Sequence, residues 1–251
     1  DPNTSMLIAC DLDDEKTFDA LLNRQWPRVT LSYRTREDSL GEKYNRGVAQ
    51  APGDVYLAMV DYAPHVTPGF DERILEAASL FPDRIGVVYN YMANPSFPQI
   101  NAVTHRLTEL MGGFYPPWFP YWFIDHWLDD LAHMIDRIAF ADVMIDVAYR
   151  PGTQDLREPA WWGTFFDLLM PHRQDIAKRI IAALDEPEWR KTMITGRFPH
   201  RMYQSRCIND ALRNAPWQIP HEVNVGDERY QRIKERAAEK AREIIGQQAA
   251  A

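Results

Sequence analysis

The sequence predicts an α/β fold: a mostly parallel sheet flanked by helices, followed by a helical C-terminal extension. Three observations carry that expectation. Short apolar runs recur at 6–10, 29–33, 55–60, 85–90 and 143–148, with helically spaced segments between most of them. The runs do not alternate apolar with polar residues, as strands buried on both faces of a parallel sheet would not. Beyond Pro151 the strand signal stops and helical segments take over.

The elements follow in order. Met6 to Cys10 reads as a buried strand that delivers Asp11-Leu12-Asp13-Asp14 to a loop at its carboxyl end. Thr17 to Leu22 reads as a short helix and Val29 to Tyr33 as a second strand. Leu40 to Gln50 has helical spacing, and Ala51-Pro52-Gly53-Asp54 supplies turn residues that stop it. Val55 to Val60 is a third strand, ending at Asp61. Pro68-Gly69 makes a turn, Asp71 opens a helix to about Leu80, and Ile85 to Asn90 is the next strand. Residues 112–127, rich in Gly, Pro and aromatics, read as a loop whose rings either line a pocket or plug the core. Asp125 to Ile138 reads as a helix with Leu128, Leu131, Ile135 and Ile138 on one face, and Val143 to Ala148 as a last strand. Trp161 to Leu184 reads as one amphipathic helix with a break at Pro171, and 195–225 as irregular. Asp227 to Gln248 reads as a charged helix docked by the stripe Ile233, Ala237, Ala241 and Ile244.

Composition bounds the function. A chain of 251 residues that is 45% apolar suits one large domain, or one domain with an extension. A formal net charge of -8 argues against bulk nucleic-acid binding, although a metal ion can bring a nucleotide diphosphate to an acidic site. Two cysteines, Cys10 and Cys207, form no Cys-x-x-Cys pair and fit a reducing, cytoplasmic setting. No run approaches the roughly 18 apolar residues of a transmembrane segment, and no signal peptide opens the chain. The 8 Trp serve either the core or the apolar faces of sugar rings.

Ser39 to Asp71 carries the most information. Lys43 and Asn45 precede a few small residues, then Ala51-Pro52-Gly53-Asp54, an apolar strand, Asp61, and the turn Thr67-Pro68-Gly69-Phe70-Asp71. In order and spacing this resembles glycosyltransferase family 2 and its GT-A relatives over about residues 6–150. The Asp11-Leu12-Asp13-Asp14 loop is similar to the acidic turn that reads the nucleoside there. The resemblance implies a GT-A nucleotide-sugar-binding domain over 1–150 and a helical extension over 151–251. It implies an inverting, metal-assisted glycosyltransferase that takes a nucleotide-sugar donor and passes the sugar to an unknown acceptor.

The residue types suit that chemistry. A leaving nucleotide diphosphate gains negative charge, which a divalent cation, Mn²⁺ or Mg²⁺, neutralises. Asp61 is the candidate metal ligand; otherwise it caps the turn after its strand. Asp11, Asp13 and Asp14 are candidate nucleotide contacts, or else helix-capping and turn residues. Lys43 is a candidate phosphate partner, a residue that holds the acidic loop, or a solvated helix-face residue, and Asn45 bonds either ligand or backbone. An inverting transfer needs a general base, and by the resemblance Asp125 is that residue; otherwise it caps the following helix.

Two departures bear on these expectations. The family motif has two or three acidic residues, whereas this chain has Asp61-Tyr62-Ala63, and Asp146 stands where relatives place a late His ligand. A catalytically inactive nucleotide- or glycan-binding relative is therefore the alternative. GT-A domains also open with a strand and a helix before the acidic turn. Here the turn comes at Asp11, so those elements are expected to be missing and Met6 to Cys10 to have a vacant neighbouring position. The central expectation is spatial: Asp11 and Asp61 should converge at one rim of the sheet.

Overall fold

The computed structural model describes residues 3–22, 27–59, 64–92, 101–120, 123–146, 159–198 and 228–250. The chain is a mixed α/β protein with a helical C-terminal region. Its first elements are β1 (Met6–Asp11), α1 (Glu15–Leu22), β2 (Val29–Arg34), α2 (Leu40–Gln50), β3 (Val55–Leu57) and α3 (Phe70–Ala78). Then come β4 (Val87–Met92), β5 (Asn101–Thr104), α4 (His105–Met111), α5 (Ile124–Met134) and β6 (Ile138–Ile145). The C-terminal region contributes α6 (Pro159–Leu168), α7 (Met170–Ala183), α8 (Glu188–Thr195) and α9 (Glu228–Ala250).

Among the described residues the strands form two ladders rather than one mostly parallel sheet. β1 and β2 pair in parallel, with Asp11 opposite Arg34. The other four run in the order β3-β5-β4-β6, with β5 antiparallel to both neighbours and β4 parallel to β6. The parallel character is therefore confined to β1–β2 and β4–β6. β5 is short and holds Asn101 and Thr104, so it carries no extended apolar run to announce it.

The four-stranded sheet is covered on both faces. Ile74, Ala77, Ala78 and Phe81, from α3 and its end, pack on Val88, Ala102, Ala139, Ala141, Val143 and Ile145. The opposite face, with Val87, Tyr89 and Val103, meets α4, α5, α6, α7 and α9. Alternation along β4 thus sends successive side chains into different layers. The rings of Phe114, Tyr115, Phe119 and Phe123 are buried in the larger core, so the aromatic loop plugs the core.

Several boundaries differ from expectation for local reasons. α5 stops at Met134 because Asp136 takes φ 54, which turns the chain, and Ile138 starts β6 instead of ending the helix. The helical segment that begins at Pro159 divides at Leu169 into α6 and α7, with Pro171 in the first turn of α7, where a missing N–H costs nothing. The α9 stripe is as expected: Ile233, Ala237, Ala241 and Ile244 are all buried. Residues 147–158 and 199–227, with the end of the expected last strand and most of the irregular stretch, lie outside the described residues.

Candidate functional site

Helix α2 organises the rim. Its start is fixed by a reciprocal capping box: Ser39 Oγ accepts from the Glu42 N–H at 3.0 Å, and Glu42 Oε2 accepts from the Ser39 N–H at 3.2 Å. Three successive residues of the helix then touch three different parts of the molecule.

Lys43 Nζ lies 2.5 Å from Asp11 Oδ1, at the carboxyl end of β1. Tyr44 donates its hydroxyl to the Met59 carbonyl at 2.9 Å, just past β3 and two residues before Asp61. Asn45 holds the aromatic loop. Its Oδ1 accepts from the Phe114 and Tyr115 N–H groups at 2.7 and 3.1 Å, and its Nδ2 donates to the Tyr115 carbonyl at 2.9 Å. The loop comes close enough that a Cβ at Gly41 would lie 2.3 Å from the Pro116 carbonyl oxygen, so only glycine fits there.

The acidic turn after β1 is drawn together by Arg36. Its guanidinium stands 3.1 Å from Asp11 Oδ2 and 3.1 Å from Asp13 Oδ1. Asp14 behaves differently: it accepts from the Thr17 N–H at 3.1 Å and the Thr17 hydroxyl at 2.6 Å, which is the capping arrangement for α1. Those bonds hold its carboxyl below the ordinary aspartate value. Leu12, Asp13, Thr35, Arg36 and Arg232 line an open cleft of about 300 Å³. Arg232 reaches it from α9, where its guanidinium bonds Asp38 at 2.6 Å while Arg236 bonds Glu42 at 2.7 Å.

The expected site residues therefore divide. Asp11, Asp13 and Lys43 form one charged cluster; Asn45 serves the backbone, and Asp14 the cap of α1. Asp125 stands near the start of α5. Burial pushes the Tyr115 phenol well above its usual value, and the nearby Tyr44 and Asp125 add to the shift. Asp61 lies outside the described residues.

His65 is a residue that sequence reasoning missed. It bridges to Ile145 at the end of β6 and packs on Phe70 at a ring separation of 4.6 Å. Both its ring nitrogens are buried and meet no hydrogen-bond partner among the described residues. Burial lowers its pKa and keeps it neutral, the form in which imidazole binds metals. The backbone N–H of Asp146 bonds the Pro64 carbonyl at 3.0 Å, so the 64–65 segment and Asp146 are adjacent. The only sequence signal was a His four residues after Asp61.

No family model matches the chain, and no curated protein does. Among solved structures it is similar to S. aureus TarS 1-349 in complex with UDP, with 13% identity and a TM-score of 0.46 over 78% of this chain and 61% of that one. It is similar to S. aureus TarS, with 12% identity and a TM-score of 0.48, over 78% and 37% respectively. A third is the mannosyltransferase PcManGT from Pyrobaculum calidifontis in complex with GDP-Man and Mn2+, with 12% identity and a TM-score of 0.44 over 100% and 77%. The chain thus spans 61% and 37% of the two TarS chains. No described helix is long and apolar enough to cross a membrane.

Proposed function

We propose that the protein is a GT-A-type glycosyltransferase, moving a sugar from a nucleotide diphosphate donor to an acceptor with inversion. One observation carries the reading: neighbouring residues of α2, Lys43 and Tyr44, bond Asp11 at the carboxyl end of β1 and the carbonyl of Met59, two residues before Asp61. A single helix turn therefore ties the two strand ends that a nucleotide diphosphate must bridge.

In this reading Asp11 and Asp13, oriented by Arg36 and Lys43, bind the nucleoside side of the donor. Lys43 exchanges part of its pairing with Asp11 for a phosphate oxygen when the donor arrives. The chemistry at the sugar belongs to the start of α5, where Asp125 stands. Asp61 is the proposed metal ligand, with His65 and Asp146 as further donors. The two buried nitrogens of His65, without a partner among the described residues, are the feature that fits a metal. When bound, Mn²⁺ or Mg²⁺ would neutralise the charge that gathers on the departing diphosphate.

Titration calorimetry with UDP, GDP and CDP, with and without Mn²⁺, tests this directly. One of the three should bind, and incubation with the matching nucleotide sugar should release nucleotide at a rate that falls in Asp61→Ala. Binding without release would favour an inactive nucleotide-binding relative, the reading that the single carboxylate of Asp61-Tyr62-Ala63 favours. No binding of any of the three would end both.

A further inference from the structure

Resting on the transferase reading, we propose that His126 is the group that takes the acceptor's proton, and that Asp125 positions it. The two residues stand in the first turn of α5, with side chains 20% and 23% exposed respectively. Asp125 Oδ1 accepts twice from its neighbour: from the His126 backbone N–H at 2.9 Å and from His126 Nδ1 at 2.8 Å. A carboxylate only accepts, so Nδ1 carries the proton of the neutral ring and the basic lone pair sits on Nε2. A nitrogen base oriented by a carboxylate is the arrangement that activates hydroxyl nucleophiles.

Several contacts fix the pair in place. Phe123, immediately before α5, takes φ 71, a left-handed conformation that a bulky residue keeps only when its surroundings enforce it. The rings of Phe123 and Phe166 stand 5.3 and 6.4 Å from the imidazole. One turn further on, Asp130 is clamped to Arg173 of α7 at 2.7 Å, in full burial. The pair is also connected to the rim. Asp125 acts on the buried Tyr115 phenol, Tyr115 meets Tyr44 edge-on at 5.2 Å, and Tyr44 bonds Met59.

The step balances. As the acceptor oxygen bonds to the anomeric carbon, its proton passes to His126 Nε2. The bond from the anomeric carbon to the phosphate oxygen breaks, and its electron pair leaves with the nucleotide diphosphate. The imidazolium is stabilised by Asp125 and later gives its proton to solvent.

The test uses the full chain, with the nucleotide sugar that calorimetry identifies and water as the acceptor. Histidine ¹⁵N spectra of the wild type should show His126 protonated on Nδ1, and Asp125→Asn should disturb that tautomer. His126→Gln should lower kcat on the order of 100-fold or more, the usual share of a general base. Its donor KM and nucleotide affinity should stay within about twofold, and His126→Asn should behave alike, which separates lost chemistry from lost folding. Asp125→Asn should lower kcat by a smaller factor, again with KM unchanged. An Nε2-protonated wild-type ring, a His126→Gln variant near wild-type rate, or an Asp125→Asn loss larger than that of His126→Gln would overturn the assignment. Failure of the transferase reading looks different: the wild type then releases no nucleotide from any donor, and the proposal falls with it.

Discussion

The two halves of this molecule are held together by different forces. Around the four-stranded sheet, α5, α6 and α7 bury Trp127, Leu128, Leu131, Trp162, Phe165, Phe166 and Ile180 almost completely. Even the charges there are internal: Arg173 pairs with Asp130 and donates to the Phe166 carbonyl at 2.5 Å, with its guanidinium 3.7 Å from the Phe166 ring. Around β1 and β2 the organising contacts are ion pairs that keep some water, from Lys43–Asp11 with side chains 21% and 15% exposed to Arg36–Asp13 at 40% and 60%, with Leu12 58% exposed. Buried contacts resist opening, whereas exposed pairs exchange partners at small cost. The sheet core is thus built for stability, and the acidic rim for trading protein partners against a ligand.

The sharpest way to break that contrast is Arg173→Ala. It removes the buried cation that Asp130 pairs with in the core and should cost about 3–5 kcal/mol. Denaturant unfolding should show a much lower midpoint; a change under ~1 kcal/mol would mean that the core does not depend on this pair. Asn45→Ala comes next. It leaves the Phe114 and Tyr115 amides without their shared acceptor, at a cost of about 2 kcal/mol. Asp11→Ala should be milder for stability, on the order of 1 kcal/mol, because Lys43 and Arg36 both keep contact with water. Nucleotide affinity should nevertheless fall about tenfold or more in calorimetry. If stability fell and affinity did not, the rim would be structural like the core.

The smallest effect belongs to Asp14. Its carboxyl is held low by Thr17, so the stabilisation is present above the pKa of an unfolded aspartate. It is lost as pH falls through the depressed folded value. A pH series of thermal melts should show wild type and Asp14→Ala converging in acid and separating toward neutrality. Convergence at neutral pH instead would contradict the capping role.

Much of the first half was legible because it obeys simple periodicities. The apolar runs of β1 and β3, the β-branched and aromatic residues of β2 and the turn residues that end α2 each announce themselves within a few residues. β5 stayed hidden because four residues with Asn101 and Thr104 give no run, and α5 was extended too far because Ile135 and Ile138 keep a helical spacing that the turn at Asp136 breaks. At the site, the hold of Lys43 on the acidic loop was among the expected roles, but the bond from Tyr44 to Met59 was not, because no spacing encodes which strand end a helix residue reaches. His126 reads from the sequence as a packing or surface residue, because adjacent helical residues do not ordinarily face each other. Asp125 nevertheless meets its ring, in the first turn behind Phe123.

Paramagnetic relaxation from a Mn²⁺–nucleotide complex tests the shared rim most directly. Added substoichiometrically to labelled protein, it should broaden the amide signals of Asp11 and Met59 together, while Leu184 and Ile194 stay sharp. Broadening at one strand end alone, or at neither, would contradict the account.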